Sequence, residues 1–576
     1  MQGARALVEV LRRSGVEHIF GLPGDTGMAF YEALNESQDQ ITHIMTRDER
    51  SASFMADVYA RVSGRIGICE GPSGGGATYI VPGVAEAQGS AIPLLCLTSD
   101  TPVNQHARGV LTELDQESLF RPITKWNFRV NSSSTMAEMT RRALRMATAG
   151  RPGAVHLSLP TDSLEGETAD DSVYGVPDFL NAPALRTRPD PELVTRAAEA
   201  IERAERPVVV AGGGVVTSQA WDALTAFAEA LNIPVATSIN GKGSIAETSP
   251  VSVGIVGGNG ARTYTNALVA DADLVIFIGS RTDSTTTHHW RVPRINVGAK
   301  AIQIDVEPYE IGNNYELVAP LAGDARLTLI DLLAAIDRPE RIAKKHQERI
   351  DGLVGVRDHY WADVAEQGRN DSQPIKPQRL IRALREALDD EALIVADPGT
   401  PTPYLGAQYE LRRAGRTTVI PRAHGGLGYA IPGSIGAHYA APDRRVVCMT
   451  TDGSFGFSCG EFETVTRLNL PIVYIQCSNN SFGWIKELQH LYHDDRYFGV
   501  DFNAVDYAAI ARGFGLKSWS ITDPADLDRT LQEALAFGGP AYINVVTESQ
   551  ITETPPVAAW IDAEANRRLG IRSEHH

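Results

Sequence analysis

Cysteine is scarce in this 576-residue chain and follows no pattern. Cys69, Cys96, Cys448, Cys459 and Cys477 lie scattered, mostly in apolar runs, with no CxxC and no paired spacing. That leaves no disulfide framework and reads as buried thiols in a reducing, cytoplasmic setting. Basic charge is also short. With 53 Lys and Arg against 71 Asp and Glu, the formal net charge of −18 argues against nucleic acid or an acidic membrane surface as partner and favours small molecules. No apolar run approaches a membrane-spanning length, and Met1–Arg13 reads as an amphipathic helix with charges inside it. A GxGxxG between a first strand and its helix, with an acidic residue following, is missing too, which argues against a plain nucleotide-dependent oxidoreductase. What is present is ordinary for a globular enzyme: 43% hydrophobic and 22% charged residues, in a length that holds about three to four domains.

One stretch organises the rest. The apolar segment Val446–Met449 ends in Thr451-Asp452-Gly453-Ser454, and a second apolar segment, Pro471–Cys477, ends in Ser478-Asn479-Asn480-Ser481. Two adjacent parallel strands bring such ends together. Asp452, Asn479 and a nearby carbonyl then offer hard oxygen ligands, suited to Mg²⁺ or Ca²⁺ and not to Zn²⁺. Gly453 and Ser454, ahead of the helical pattern Glu461–Arg467, supply free N–H groups for a diphosphate.

From Gly3 to about Asp162, helical and strand-like patterns alternate: helix 3–14, a strand around Ile19-Phe20, helix 27–35, strand 41–45, helix 50–63, strand 66–69, helix 76–88, strand 93–98. This alternation predicts an α/β fold with parallel sheets covered on both faces, whose ligands sit at the carboxyl ends of strands. Three turns are therefore of interest: Phe20–Gly27, Thr46–Arg50 and Glu70–Thr78. Taken alone, Glu49 is a favourable charge in the first turn of a helix, and the glycine run 74–76 is a turn.

In combination these segments resemble the thiamine diphosphate enzymes of the acetolactate synthase, oxalyl-CoA decarboxylase and 2-hydroxyacyl-CoA lyase group. In that pattern a GDG precedes an NN pair; here Thr451 replaces the first Gly, and Asn479 matches the ligand Asn, with Ser478 in place of the other. The resemblance implies thiamine diphosphate and Mg²⁺, with Asp452, Asn479 and the Ser481 carbonyl as metal ligands and Thr400, Gly425, Gly453 and Ser454 around the cofactor. Glu49 matches the glutamate that hydrogen-bonds the aminopyrimidine ring, where a carboxyl favours the imino tautomer needed to take the thiazolium C2 proton. Leu427 matches the apolar residue that props the cofactor into a bent shape, although a leucine is more often core. Gln116 matches a substrate-side glutamine, and Ser73, Gly74 and Trp484 fall on the substrate side.

The resemblance spans nearly the whole chain and implies three α/β units: a pyrimidine-binding domain over 1–165, a central domain over 190–338 and a diphosphate- and metal-binding domain over 375–550. A polar stretch, 163–191, reads as a linker, and the tail 551–576 as a lid or a loose surface helix. The Gly212–Gly214 strand end matches a central domain that holds FAD in some relatives, ADP in others and nothing in the rest. His288-His289-Trp290-Arg291 reads as a surface loop, since no third metal ligand accompanies the pair.

Two departures bear on the reaction. Asp25 is more like the pyruvate decarboxylase group, yet the His-His pair of that group is replaced by Asp115-Gln116; and Gly453–Pro471 looks closer to the oxalyl-CoA decarboxylase and lyase branch. The expectation is an acetolactate synthase-like carboligase acting on a 2-oxo acid, with a lyase or decarboxylase acting on an acyl-CoA as alternative. A non-catalytic cofactor-binding homologue is a third reading, opposed by the intact Glu49 and metal ligands. The resemblance further implies a homodimer or homotetramer with active sites at the subunit interface.

Overall fold

The computed structural model describes residues 1–169, 171–294 and 300–573. The expected central unit and the tail each extend over a few positions outside those residues.

Three six-stranded sheets follow one another along the chain, every pairing within them parallel. The first holds β1 (His18–Gly21), β2 (Thr42–Met45), β3 (Gly67–Gly71), β4 (Leu94–Asp100), β5 (Trp126–Arg129) and β6 (Ala154–Pro160), in the order β2-β1-β3-β4-β6-β5. The second holds β7 (Pro207–Ala211), β8 (Val235–Thr237), β9 (Ser252–Ile255), β10 (Leu274–Ile278), β11 (Lys300–Asp305) and β12 (Leu317–Ala322), in the order β12-β11-β10-β7-β8-β9. The third holds β13 (Leu393–Ala396), β14 (Thr418–Val419), β15 (Val446–Thr451), β16 (Ile472–Ser478), β17 (Lys517–Ile521) and β18 (Ala541–Val546), in the order β14-β13-β15-β16-β18-β17. Runs such as Leu274-Val-Ile-Phe-Ile278 are buried throughout, as strands covered by helices on both faces must be.

The first and third sheets share a core. The helix Glu49–Ser63 lies along the helix Ala430–Ala440, so close that a Cβ on Gly436 would stand 2.0 Å from the Met55 carbonyl oxygen. Phe54, Met55 and Val58 from one side and Ile431 and Ile435 from the other belong to a single buried cluster. The central unit has its own cluster, built on Val209, Ile276, Ile302 and Phe227.

Several local readings change. The helix expected over 76–88 is two helices, Gly75–Tyr79 and Val81–Gly89, because Pro82 near the start of the second withholds an N–H. The helix after Thr451 begins at Asp452 and runs to Ser458, before a 3₁₀ turn and a further helix at Phe462–Arg467. Its glycine- and serine-rich sequence hides it from a periodicity reading; the Thr451 hydroxyl caps it by accepting from the Ser454 amide at 3.2 Å. The stretch 163–191 is irregular but tied down, with the Ile66 amide donating to Leu180 and the Ala182 amide to Gly64. The loop His288–Arg291 is at the surface through His289, Trp290 and Arg291, with His288 alone of the four buried. Among the described residues no helix is long and apolar enough to cross a membrane.

Candidate active site

Strands β15 and β16 pair in register from Val446–Ile472 to Thr451–Cys477, which sets Asp452 beside the segment leaving β16. The Asp452 carboxylate accepts from its neighbour Gly453 at 2.9 Å and, across the gap, from the Asn479 and Asn480 amides at 2.9 and 2.6 Å. Burial pushes the Asp452 pKa up, and these amides pull it back in part. The Asn479 side-chain oxygen accepts from the Ser481 hydroxyl at 2.9 Å. Asp452, Asn479 and Ser481 therefore form one oxygen-rich corner. Its donor set fits a hard divalent cation such as Mg²⁺, with lone pairs remaining on both side-chain oxygens.

Beside this corner, next to Thr400, stands a residue that sequence reasoning missed. Gln550 donates from its amide nitrogen to the Thr400 hydroxyl at 3.0 Å, while its buried amide oxygen has no hydrogen-bond partner among the described residues. A Cβ on Gly483 would come within 2.8 Å of that oxygen and 3.1 Å of the Asn479 amide nitrogen, so the two amides flank Gly483. A buried polar atom without a partner, between Thr400 and Asn479, marks a place where a polar group fits. The signal for Gln550 was weak: a single amide four residues past the end of β18. Gly453 packs under Phe482, and Gly425 (φ +72°) faces open space with half-buried Leu427 two residues on.

Glu49 sits at the start of its helix, behind the N-cap Asp48, and is buried. It is enclosed by the glycine-rich turn: a Cβ on Gly71 would come within 3.2 Å of its Cγ, and one on Gly76 within 3.0 Å of its carboxyl oxygen. Burial raises its pKa, and the charges of Asp48 and Glu70 add to the rise. The turn is thus a cradle for a carboxyl biased toward its protonated form. Glu70 is held in turn by His43 at 3.0 Å and by Tyr31.

The substrate-side residues divide. The Ser73 hydroxyl lies 2.7 Å from that of Thr112 and 3.1 Å from that of Thr26, so the turns bearing Asp25, Ser73 and Gly74 meet. Asp25 itself is exposed, accepting only from the Thr26 amide at 2.9 Å. Gln116 is buried and occupied: its nitrogen donates to the Ser99 carbonyl at 2.9 Å and its oxygen accepts from Thr98. Its amide is thus engaged inside the fold at both ends, and Thr112 stands at the Ser73 edge. Trp484 lies in the helix Gly483–Tyr492, half-covered by Trp560 of the tail helix Ala558–Arg568 at a ring separation of 4.2 Å.

Among the described residues no hydrogen bond joins Glu49 to Asp452 within one chain; near them the Arg50 guanidinium donates to the Phe457 carbonyl at 2.5 Å, and the Arg47 amide to Glu461 at 2.9 Å. In the central unit a cavity enclosing about 1040 Å³ of empty space, partly open to solvent, is lined by Gly213, Asn240, Arg281, Asp305, Arg151 and Arg422. Gly212 and Gly214 are needed there for packing, since a Cβ on either would lie within 2.6 Å of Gly279 backbone.

Comparison with known proteins agrees with this arrangement. Sequence families described as the N-terminal TPP binding domain, the central domain and the C-terminal TPP binding domain of thiamine pyrophosphate enzymes match residues 1–119, 194–332 and 397–545. The chain is 33% identical over 571 residues to a probable acetolactate synthase large subunit of Methanococcus aeolicus, covering 97% of this chain and 94% of that one. It is 34% identical over 557 residues to the corresponding protein of Methanocaldococcus jannaschii (95% and 92% covered). To acetolactate synthase isozyme 1 large subunit of Escherichia coli it is 29% identical over 561 residues (97% and 96% covered). With three α/β units matched in order over most of its length, the chain belongs to the thiamine pyrophosphate enzymes and depends on that cofactor, thiamine diphosphate, for its activity.

Proposed function

We propose that the protein is an acetolactate synthase-type carboligase: it decarboxylates a 2-oxo acid and passes the two-electron carbon fragment to a carbonyl acceptor. The observation that carries this is the pairing of a cradled, proton-biased Glu49 with an oxygen-rich Asp452–Asn479 corner. Bound thiamine diphosphate supplies a nucleophilic carbon that adds to carbonyls and stabilises the charge left by decarboxylation. The chain's own residues do the rest. Asp452, Asn479 and the Ser481 carbonyl hold Mg²⁺; Thr400, Gly425, Gly453 and Ser454 surround the diphosphate; Leu427 supports the bend. Glu49 holds a proton against the aminopyrimidine ring, in a site where Gly71 and Gly76 leave room beside its carboxyl. Ser73, Gly74 and Trp484 shape the substrate side, with Asp25 available for proton transfer. Gln116 fixes the segment that carries Thr112 through Thr98 and Ser99 and keeps a second N–H for the substrate side.

The active form in this reading is a cytoplasmic homodimer or homotetramer in which Glu49 of one protomer meets the metal corner of its partner. The central cavity takes FAD or ADP, with Arg151, Arg281 and Arg422 available to phosphates; nucleotide released on denaturation identifies it.

Mass-spectrometric product analysis with thiamine diphosphate, Mg²⁺ and pyruvate tests the reaction. Acetolactate is expected. Acetaldehyde in its place makes the enzyme a decarboxylase that uses Asp25. If neither appears, pyruvate is not the donor, and 2-hydroxyacyl-CoA and oxalyl-CoA are the substrates the Gly453–Pro471 segment then favours.

A further inference from the structure

Glu86, on the helix Val81–Gly89, is buried and is used by none of the chemistry above. Its carboxylate does two things at once. On one side it accepts from Arg61 at 3.0 Å and from the Ser90 hydroxyl at 2.8 Å. On the other it gathers four successive backbone amides of the third unit: Arg422 at 3.2 Å, Ala423 at 3.2 Å, His424 at 2.7 Å and Gly425 at 3.3 Å. Burial alone would raise its pKa, but Arg61, the His424 and Ala423 amides and Ser90 outweigh it and hold the group ionised.

An ion pair that served only to neutralise Arg61 would not need those amides, because Arg61 is already paired with Asp57 at 2.7 Å. Four consecutive N–H groups turned onto one anion instead fix the backbone of the segment that contains them. That segment is otherwise poorly held: Ala423, His424 and Gly425 are exposed, and Gly425 has φ +72° with open space around it. It leads directly into Leu427.

We propose that Glu86 is a positioning residue for the cofactor site: by holding the 422–425 loop it presets Gly425 and Leu427 before thiamine diphosphate arrives. The proposal rests on the reading of Leu427 and Gly425 as cofactor-side residues. Part of the ordering cost of binding is thereby met by the fold.

Two variants test it. Glu86→Gln keeps the shape and removes the charge; Glu86→Asp keeps the charge near Arg61 and withdraws the carboxylate from the loop. In the cofactor-free protein, amide hydrogen exchange at 423–425 should rise about tenfold in both, with the helix Ala430–Ala440 unchanged. With cofactor, half-saturation by thiamine diphosphate should rise about tenfold while kcat at saturation stays within about twofold. Wild-type exchange at the loop in both variants overturns the proposal, as does a fall in kcat with half-saturation unchanged. The exchange measurement needs no cofactor, so failure of the wild-type protein to bind thiamine diphosphate would count against the site reading and leave the loop result to be judged separately.

Discussion

Glu49 is a carboxyl whose neighbours are chosen to keep it from ionising: glycines in place of donors, and Asp48 and Glu70 in place of cations. A residue so placed serves by holding a proton, and an amide cannot replace it. Glu49→Gln is therefore expected to slow deuterium exchange at C2 of bound thiamine diphosphate by about 10²–10⁴-fold, the usual worth of a positioned acid–base group; exchange at the wild-type rate would remove Glu49 from the chemistry. Asp452 differs, since three amides fix its carboxylate and, in the proposed site, its charge serves Mg²⁺. Asp452→Asn keeps one oxygen for the Asn479 and Asn480 amides but turns its nitrogen toward the Gly453 amide and loses the charge, so the apo-protein should lose about 1–3 kcal/mol of stability while half-saturation by Mg²⁺ rises at least about tenfold. Both residues were legible in the sequence, because each follows an apolar strand and such strand ends are where parallel sheets place ligands. Gln116 and Glu86 were not. Whether a buried amide or carboxylate faces a ligand or the fold depends on neighbours far along the chain: Thr98 for Gln116, the 422–425 backbone for Glu86.

At the scale of elements, the tail helix Ala558–Arg568 rests on the helix Gly483–Tyr492 through Trp560, Trp484, Leu491 and Ala563. Lid or surface helix was undecided from sequence, because neither helix shows its partner in its own periodicity. The junction buries Glu487 completely, with no hydrogen-bond partner of ordinary geometry at either oxygen. Burial, with Glu564 opposite, pushes its pKa up to about 8, against only partial relief from Thr554 and Arg567. The sign follows: between about 4.5 and about 8 the folded state keeps a proton that the unfolded chain has released, so this contact weakens as pH rises through that window and levels off above it. Glu487→Gln has no such slope. Amide exchange over the tail helix should match wild type near pH 5 and become progressively slower than wild type toward pH 9; parallel pH profiles in the two proteins would show that Glu487 does not govern the junction.

The whole molecule poses a different question, since one chain holds both halves of the chemistry and its first and third units touch at Arg50–Phe457, at Arg47–Glu461, at Glu86 and along a shared helical core, yet among the described residues no hydrogen bond joins Glu49 to Asp452. The shared core between the helices Glu49–Ser63 and Ala430–Ala440 shows why three units were readable as a fold and their assembly was not: glycines at Gly433 and Gly436 look like helix weakeners in sequence and prove to be where two units touch. If each site is built from Glu49 of one protomer and Asp452 of its partner, inactive variants will rescue one another. Coexpressed Glu49→Gln and Asp452→Asn chains that pair at random make half of all dimers mixed. Each mixed dimer carries one doubly altered site and one wild-type site, so activity should return to about a quarter of wild type. Sites built within single chains give no recovery at any mixing ratio, because every chain then carries its own lesion. The same mixture, diluted until dimers dissociate, should lose the recovered activity in step with the mixed species, which ties the rescue to the interface and not to residual activity of either variant.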